Sequence, residues 1–474
     1  MQKRCIDILA SSGVSFGTSG ARGLVDQLTD EVCAAFTIAF LEVMQQRAKI
    51  QKVAIGMDRR PSSPRIVAAC TAASKALGID VIDYGVLPTP ALALQAAADS
   101  MPAIMVTGSH IPFDRNGIKF YSLEGEITKH EENSILNNET KMPKLGESKR
   151  QIESGVAQQR YIDRYAGWFD GMPLTGFRIG LYQHSAAGRD INVTVLKQLG
   201  AEVIELDRSE EFVPVDTEAV TEIDRKNGLS WAKEYNLDAI ITTDGDGDRP
   251  LIADETGVWL RGDMLGLLCA RELNIQAVAV PVSCNTAIEK SGLFSEVRRT
   301  KIGSPYVISE INELSRKYSS VAGFEANGGF ILGSTLSDGN KVLKALTTRD
   351  ALLPALTVLV TASQHKKSLS GLVAELPERY TSSDRLKEFP TDRSQRLITE
   401  WERNWASMQQ ALGIDKTISD VNTTDGLRIT LDDGDIIHLR PSGNAPELRC
   451  YTESSSSLKA DELTRSVLAS SVFK

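Results

Sequence analysis

Ala103-Ile104-Met105-Val106-Thr107-Gly108-Ser109-His110-Ile111-Pro112 is an apolar run that stops abruptly in a glycine, a hydroxyl, an imidazole and a proline. Four apolar residues bounded by turn formers read as a short buried strand. In open α/β sheets ligands bind beyond the carboxyl ends of the strands, so Ser109 and His110 would stand where chemistry happens. Pro112 and Asn116-Gly117 fix turns, and residues 118–121 are extended again, carrying Lys119. The loop thus offers a candidate nucleophile, a candidate proton carrier and a fixed cation. Taken alone, a Ser-His pair is better read as a turn cap beside a surface histidine. The functional reading needs metal ligands and an anion clamp from elsewhere in the chain.

Working outward, the segments around this strand repeat one grammar. Residues 53–57 read as strand, 62–77 as helix, 81–84 as strand and 90–98 as a short helix leading to the strand before Ser109. Residues 126–155 are polar and read as a connector. The pattern then returns, with strand 177–182, helix 190–199 and a strand in "LGAEVIEL" (199–206) that echoes "LGIDVIDY" (77–84). Residues 217–235 read as mostly helix, weakened at Gly228. Strand 238–242 runs into Asp244-Gly245-Asp246-Gly247-Asp248-Arg249. A third copy has strands 276–282 and 296–301, helix 305–315, and strand 321–324 ending in Glu325-Ala326-Asn327-Gly328-Gly329. Repetition of this kind is an architectural signal. Three polar loops at strand ends would converge on one cleft.

Residues 348–363 read as helix, followed by a charged stretch to about 410. The C-terminal part differs: residues 427–431 and 436–439 flank Asp432-Asp433-Gly434-Asp435, a hairpin signal. Arg440 to Arg449, a strand and a helix from 458 complete a small α+β unit. The expectation is α/β: three similar α/β domains around a central cleft plus a small C-terminal α+β domain. The boundaries are set at 1–155, 156–256, 257–370 and 371–474.

The aspartate loop carries the most specific chemistry. Three carboxylates separated by glycines can fold round one hard cation, and magnesium suits few carboxylates with open positions. Asp244, Asp246, Asp248 and Glu255 match positions one, three, five and twelve of an EF-hand, but Arg249 stands where that loop requires glycine, and the flanks read as strands. A solvated acidic turn is disfavoured because the three carboxylates repel unless a cation offsets them. Arg249 suits a phosphate oxygen. Arg22, among the glycines of residues 16–23, is as well described by a glycine-rich turn as by an anion contact. Arg440, Ser442, Gly443, Asn444 and Arg449 are donors for a phosphate dianion, the rival being a basic turn on an acidic protein, and Glu325 with Asn327 suits vicinal sugar hydroxyls, a reading set ahead of a buried turn with Glu325 salt-bridged. A serine, a metal loop and a distal arginine clamp together describe phosphoryl transfer on a substrate holding a second phosphate.

Composition sets the bounds. The 474 residues carry a formal net charge of −9, which argues against nucleic-acid or anionic-membrane surfaces as partners. The six cysteines form no Cys-x-x-Cys pair, which fits a reducing, cytoplasmic compartment. The longest apolar stretch, residues 351–362, is too short to span a bilayer.

Five stretches in this order, "FGTSGARG" (16–23), "TGSHIPFDRNGIK" (107–119), "DGDGDR" (244–249), "GFEANGG" (323–329) and "RPSGNAPELR" (440–449), resemble the α-D-phosphohexomutases. That group includes phosphomannomutase, phosphoglucomutase and phosphoglucosamine mutase, and the resemblance spans essentially the whole chain. It implies interconversion of hexose 1-phosphate and hexose 6-phosphate through a phosphoserine enzyme and a 1,6-bisphosphate intermediate. Among sugars mannose ranks first, ahead of glucose and glucosamine. A metal-dependent phosphatase and a non-catalytic sugar-phosphate-binding paralogue are the rivals. The resemblance implies Mg2+ held by Ser109, Asp244, Asp246 and Asp248, with a hexose 1,6-bisphosphate as activator. Lys119 with His110 nearby would do acid–base work, and Arg22 and Arg249 would stabilise the transferring phosphate. Lys301, Glu325 and Asn327 would meet the sugar. Arg440, Ser442, Gly443, Asn444 and Arg449 would hold the other phosphate. It further implies small sugar phosphates as partners and a monomer or homodimer. Ile111, Arg115, Asn327 and Asn444 depart from the family's commonest residues.

Overall fold

The computed structural model describes residues 3–17, 19–146, 150–153, 155–441 and 447–473. Three α/β sheets follow one another along the chain, and a fifth of the way from the end the architecture becomes antiparallel. In the first sheet Asp80–Val86, Lys52–Met57 and Ala103–Val106 are parallel, and Arg115–Ser122 and Ala21–Leu24 continue it antiparallel. In the second, Glu202–Arg208, Arg178–His184 and Ala239–Thr243 are parallel and Pro250–Ala253 is antiparallel. In the third, Glu296–Thr300, Ala277–Pro281 and Val321–Phe324 are parallel, then Phe330–Leu332 and Leu346–Asp350 antiparallel.

The repeat is therefore sharper than a strand ending in a loop. In each sheet the last parallel strand turns back on itself, and the polar loop is the turn: Val106 pairs with Ile118, Thr243 with Pro250, Phe324 with Phe330. Both arms are buried, so the loop is held from two sides. Near-continuous apolar strands suit sheets covered by helices on both faces. One hydrophobic core runs through all three sheets, with residues from Ala54 to Leu376. The C-terminal sheet, ordered Tyr380–Leu386, Leu448–Ser454, Ile436–Pro441, Leu427–Leu431, Ile418–Asn422, has a core of its own around Trp401, Met408 and Leu439.

Several local expectations change. Residues 126–155 contain the helix Lys129–Leu136, started by a capping box in which Thr128 and Glu131 satisfy each other's ends. Its Glu131 is buried and ion-paired with Arg47. Helix Glu222–Tyr235 begins later than expected, at the Thr221 cap. Gly228 sits inside it because a Cβ there would lie 2.7 Å from the Gly257 carbonyl. Residues 348–350 are strand, and the buried helix is Leu352–His365. The charged stretch holds Tyr380–Leu386, Thr391–Arg403 and Trp405–Leu412. Tertiary pairing overrides local propensity in each case. No helix among the described residues is long and apolar enough to cross a membrane.

Two buried histidines give the fold an acid-sensitive side. His184 places Nε2 2.8 Å from the Thr243 carbonyl, and His438 places Nε2 2.6 Å from that of Asp425. Each Nε2 therefore donates, and burial lowers both imidazoles to about 4. The unfolded chain protonates them near pH 6.5, the folded chain only near 4. Stability is complete above the upper value and is lost as pH falls through that window, by on the order of 3 kcal/mol per histidine. His438→Gln keeps a donor for Asp425. Its denaturant midpoint should fall less between pH 7.5 and 4.5 than that of the wild type; superimposable pH profiles would remove the histidine as the cause.

Candidate active site

Ser109 is fully buried, and its backbone has φ 55°, a left-handed conformation uncommon for a residue with a Cβ. Strain of this kind persists only where surroundings enforce it, and here Arg60 does. Its guanidinium donates to four carbonyls of the loop: Pro112 at 2.7 Å, Arg115 at 3.0 Å, Ser109 at 2.8 Å and Ile111 at 2.5 Å. Asp58 neutralises it at 3.1 Å and also accepts from the Thr107 hydroxyl at 2.8 Å. Gly108 is glycine because a Cβ would stand 2.6 Å from the guanidinium carbon. The loop thus delivers Ser109 Oγ to Asp244 Oδ2, to which it donates at 2.6 Å.

Asp244, Asp246 and Asp248 are all buried, and each offers an oxygen such that the three lie within 4.8 Å of one another. Asp246 and Asp248 divide their oxygens. Asp246 Oδ2 accepts from Lys119 Nζ at 2.6 Å and from the Thr89 hydroxyl at 2.6 Å. Asp248 Oδ2 accepts from Lys119 Nζ at 2.7 Å and from Arg349 Nη2 at 2.7 Å. Their Oδ1 atoms are buried without a hydrogen-bond partner. Orphaned carboxylate oxygens are costly away from water, and a hard divalent cation is what such oxygens fit. Burial and the two neighbouring aspartates push Asp244 well above the carboxylate range. Asp248 is buried too, but Arg349, Lys119 and Arg249 hold it below that range. Burial works against the Lys119 ammonium, yet Asp246 and Asp248 prevail and raise it.

His110 stands 3.4 Å from Ser109 Oγ and accepts at Nδ1 from Arg249 Nη1 at 2.8 Å. Burial and then Arg249 lower it to about 3, so the ring is neutral near pH 7 with its Nδ1 lone pair engaged. Arg22 lies on the strand paired with residues 115–118, where it faces Gly117. Burial, Arg249 and Arg349 lower it to about 10, and its buried Nη2 has no partner. Arg249 Nε is likewise buried without a hydrogen-bond partner, and unpartnered guanidinium donors suit an anion.

The third loop holds Glu325 and Asn327, both buried. Asn327 shapes it: Oδ1 accepts from Gly329 N at 3.0 Å, and Nδ2 donates to Glu325 Oε2 at 3.1 Å. The Thr217 hydroxyl donates to the Asn327 carbonyl at 2.7 Å, docking the second sheet's loop on the third. Lys301 is exposed, 5.9 Å from the Tyr306 ring centre. Beside it, Ile302 N donates at 2.9 Å to Asp425 of the C-terminal domain, and Asp425 also accepts from Arg440 Nε at 3.0 Å. Arg440 and Arg449 face each other across the C-terminal hairpin, and Arg449 Nε is buried without a partner. Ser442, Gly443 and Asn444 lie outside the described residues. Glu218 is exposed, on the segment that leads into helix Glu222–Tyr235. Desolvation raises it, and Arg261, Arg249 and Arg449 pull the other way. Arg249 of the aspartate loop and Arg449 of the C-terminal hairpin thus both act on one carboxylate.

Sequence reading missed Asp58, Arg60, Thr89, Arg349 and Asp425. Asp58-Arg59-Arg60 could have been found, since it too ends a parallel strand in charge. Arg349 and Asp425 carry no local signal, because their partners are far away in sequence.

The comparisons agree with this geometry. Models of the phosphoglucomutase/phosphomannomutase family match in chain order: α/β/α domain I at residues 13–144, domain II at 159–257, domain III at 261–380 and the C-terminal domain at 386–470. A phosphomannomutase of Salmonella muenchen is 54% identical over 98% of this chain and 96% of its own. One of Sinorhizobium fredii is 43% identical over 96% and 98%. A phosphoglucosamine mutase of Alkaliphilus metalliredigens is 30% identical over 77% and 83%. The fold is shared with a phosphoglucomutase/phosphomannomutase family protein of Burkholderia thailandensis, at TM-score 0.73 and 21% identity over 95% and 96% of the two chains. It is also shared with the N-acetylphosphoglucosamine mutase of Aspergillus fumigatus solved with GlcNAc-6P and magnesium, at 0.61 and 14% over the full length of both. Three like sheets turning back at three polar loops, and relatives matched from end to end, lead to one conclusion: the chain belongs to the phosphoglucomutase/phosphomannomutase family.

Proposed function

We propose that this protein is a phosphohexomutase that interconverts mannose 1-phosphate and mannose 6-phosphate, working through phosphorylated Ser109 and a bound 1,6-bisphosphate. The observation that carries the reading is the 2.6 Å hydrogen bond from Ser109 Oγ to Asp244. It sets a nucleophile against a carboxylate cage whose two orphaned oxygens suit a cation. Mannose is placed first because the relatives at 54% and 43% identity are phosphomannomutases.

Asp244, Asp246 and Asp248 would hold Mg2+ with an oxygen at Ser109. The ion would supply neutralisation of phosphoryl charge. The protein's own part follows from its contacts. The phosphoryl group leaves Ser109 Oγ for a sugar hydroxyl oxygen, and that hydroxyl gives up its proton. The intermediate turns over, its other phosphate returns to Ser109 Oγ, and a proton goes back to the freed sugar oxygen. Lys119, ion-paired with Asp246 and Asp248, is the group to carry that proton; it would take it as the neutral amine, which a cation on the same two carboxylates would favour by offsetting the charge that raises it. His110 orients Arg249 rather than ionising, since its Nδ1 is engaged and its pKa is about 3. Arg22 and Arg249 stabilise charge on the transferring phosphoryl. Among the described residues Arg440 is held through Nε, by Asp425, and its Nη pair would meet the phosphate not reacting, beside Arg449.

Phosphorus NMR tests the reading. Protein with mannose 1-phosphate, Mg2+ and a trace of glucose 1,6-bisphosphate should accumulate mannose 6-phosphate. Free phosphate instead would make it a phosphatase. Turnover of glucose or glucosamine 1-phosphate but not of mannose 1-phosphate would reassign the sugar.

A further inference from the structure

One guanidinium lies between the metal loop and the sugar loop. Arg349, on the strand Leu346–Asp350, is among the most deeply buried large side chains. Its Nε and Nη2 both donate to Asp248 Oδ2, at 3.2 and 2.7 Å. Its Nη1 donates to Glu325 Oε2 at 3.1 Å. The two carboxylates belong to loops of different sheets, and a planar fork is the side chain able to grip both at once. The approach is built in: a Cβ on Gly329 would lie 2.4 Å from Arg349 Cδ, so glycine at that point of the sugar loop is what lets the arginine through.

The consequence is a choice of oxygens. Asp248 Oδ2 is consumed by Arg349 and Lys119, which leaves Oδ1 buried with no hydrogen bond, in ion-pair reach of Arg249 Nε at 3.7 Å. Glu325 Oε2 is consumed by Arg349 and Asn327, which leaves Oε1 to accept from a ligand. We propose that Arg349 is a positioning residue that turns Asp248 Oδ1 toward the cation and Glu325 Oε1 toward the sugar hydroxyls, so that metal binding and sugar recognition share one support. This rests on the function proposed above, in which Asp248 holds Mg2+ and Glu325 meets the sugar. Arg349 itself touches neither.

The test uses the full chain with Arg349→Lys, Arg349→Ala and Gly329→Ala. Arg349→Lys keeps the charge and loses the fork; Gly329→Ala keeps the arginine and displaces it. Mg2+ binding is read by calorimetry on the protein alone, and KM and kcat for mannose 1-phosphate are read separately. Arg349→Lys and Gly329→Ala should each weaken Mg2+ about tenfold and raise KM by a similar factor. Low-millimolar guanidinium should restore both constants in Arg349→Ala, which loss of packing alone would not allow. If Arg349→Ala does not fold, the other two variants decide. Wild-type Mg2+ affinity and KM in those two overturn the inference, as does weakened Mg2+ with KM unmoved. A wild-type protein that neither binds Mg2+ nor turns over any hexose 1-phosphate overturns the proposed function, and this inference with it.

Discussion

Ser109→Ala should lower kcat at least about a thousandfold and leave KM for the hexose phosphate within about threefold, the signature of a lost nucleophile rather than a lost binding group. Only Oγ is removed. Arg60 grips the Ser109 carbonyl, not its side chain, so the loop keeps its support. Alanine meets the same φ of 55° with the same Cβ, so the backbone strain is unchanged. Steady-state kinetics beside direct measurement of sugar-phosphate binding separates the two constants. Retention of a tenth or more of wild-type kcat would end the phosphoserine mechanism. A large rise in KM would make Ser109 a binding residue.

Arg60→Met should be nearly as damaging to turnover and far more damaging to stability, although Arg60 is assigned no contact with substrate. The change removes hydrogen bonds to four loop carbonyls and leaves Asp58 charged and buried with no cation beside it. Breaking one side of a buried pair costs about 3–5 kcal/mol. Removing the charge of both partners should recover part of that loss, because the uncompensated carboxylate is the larger share. Asp58→Asn with Arg60→Met should therefore be more stable than Arg60→Met alone. Denaturant midpoints of the two variants test the point directly. An Arg60→Met protein within about 1 kcal/mol of wild type would show the loop to be self-supporting. Phe212, whose ring lies 4.0 Å from the Arg60 guanidinium, would then be the element to vary next.

The α/β repeat was legible because each unit carries its own apolar strand and its own break. Ala103–Val106 runs into Gly108, Ala239–Thr243 into the aspartates, and Val321–Phe324 into Glu325. The chemistry-bearing loops were legible for the same reason: their residues lie next to one another in the chain. What stayed hidden were the return strands, Pro250–Ala253, Phe330–Leu332 and Leu346–Asp350. They are short, and only a neighbouring strand makes them strands.

From its residue order alone, then, the chain determined three repeated units, a serine loop, an aspartate loop, a glutamate loop and an arginine loop. These rest on local pattern, which needs no partner from elsewhere. Only the tertiary structure decided which oxygens of Asp248 and Glu325 are taken by Arg349, that His110 is neutral against Arg249, and that Arg60 and Arg349 hold the loops. The physical reason is that each depends on a buried charge meeting a partner from another element. Arg349 reaches Asp248, 101 residues away, and Ser109 reaches Asp244, 135 residues away. Burial makes those partnerships strong and specific, and no local pattern in the sequence encodes them.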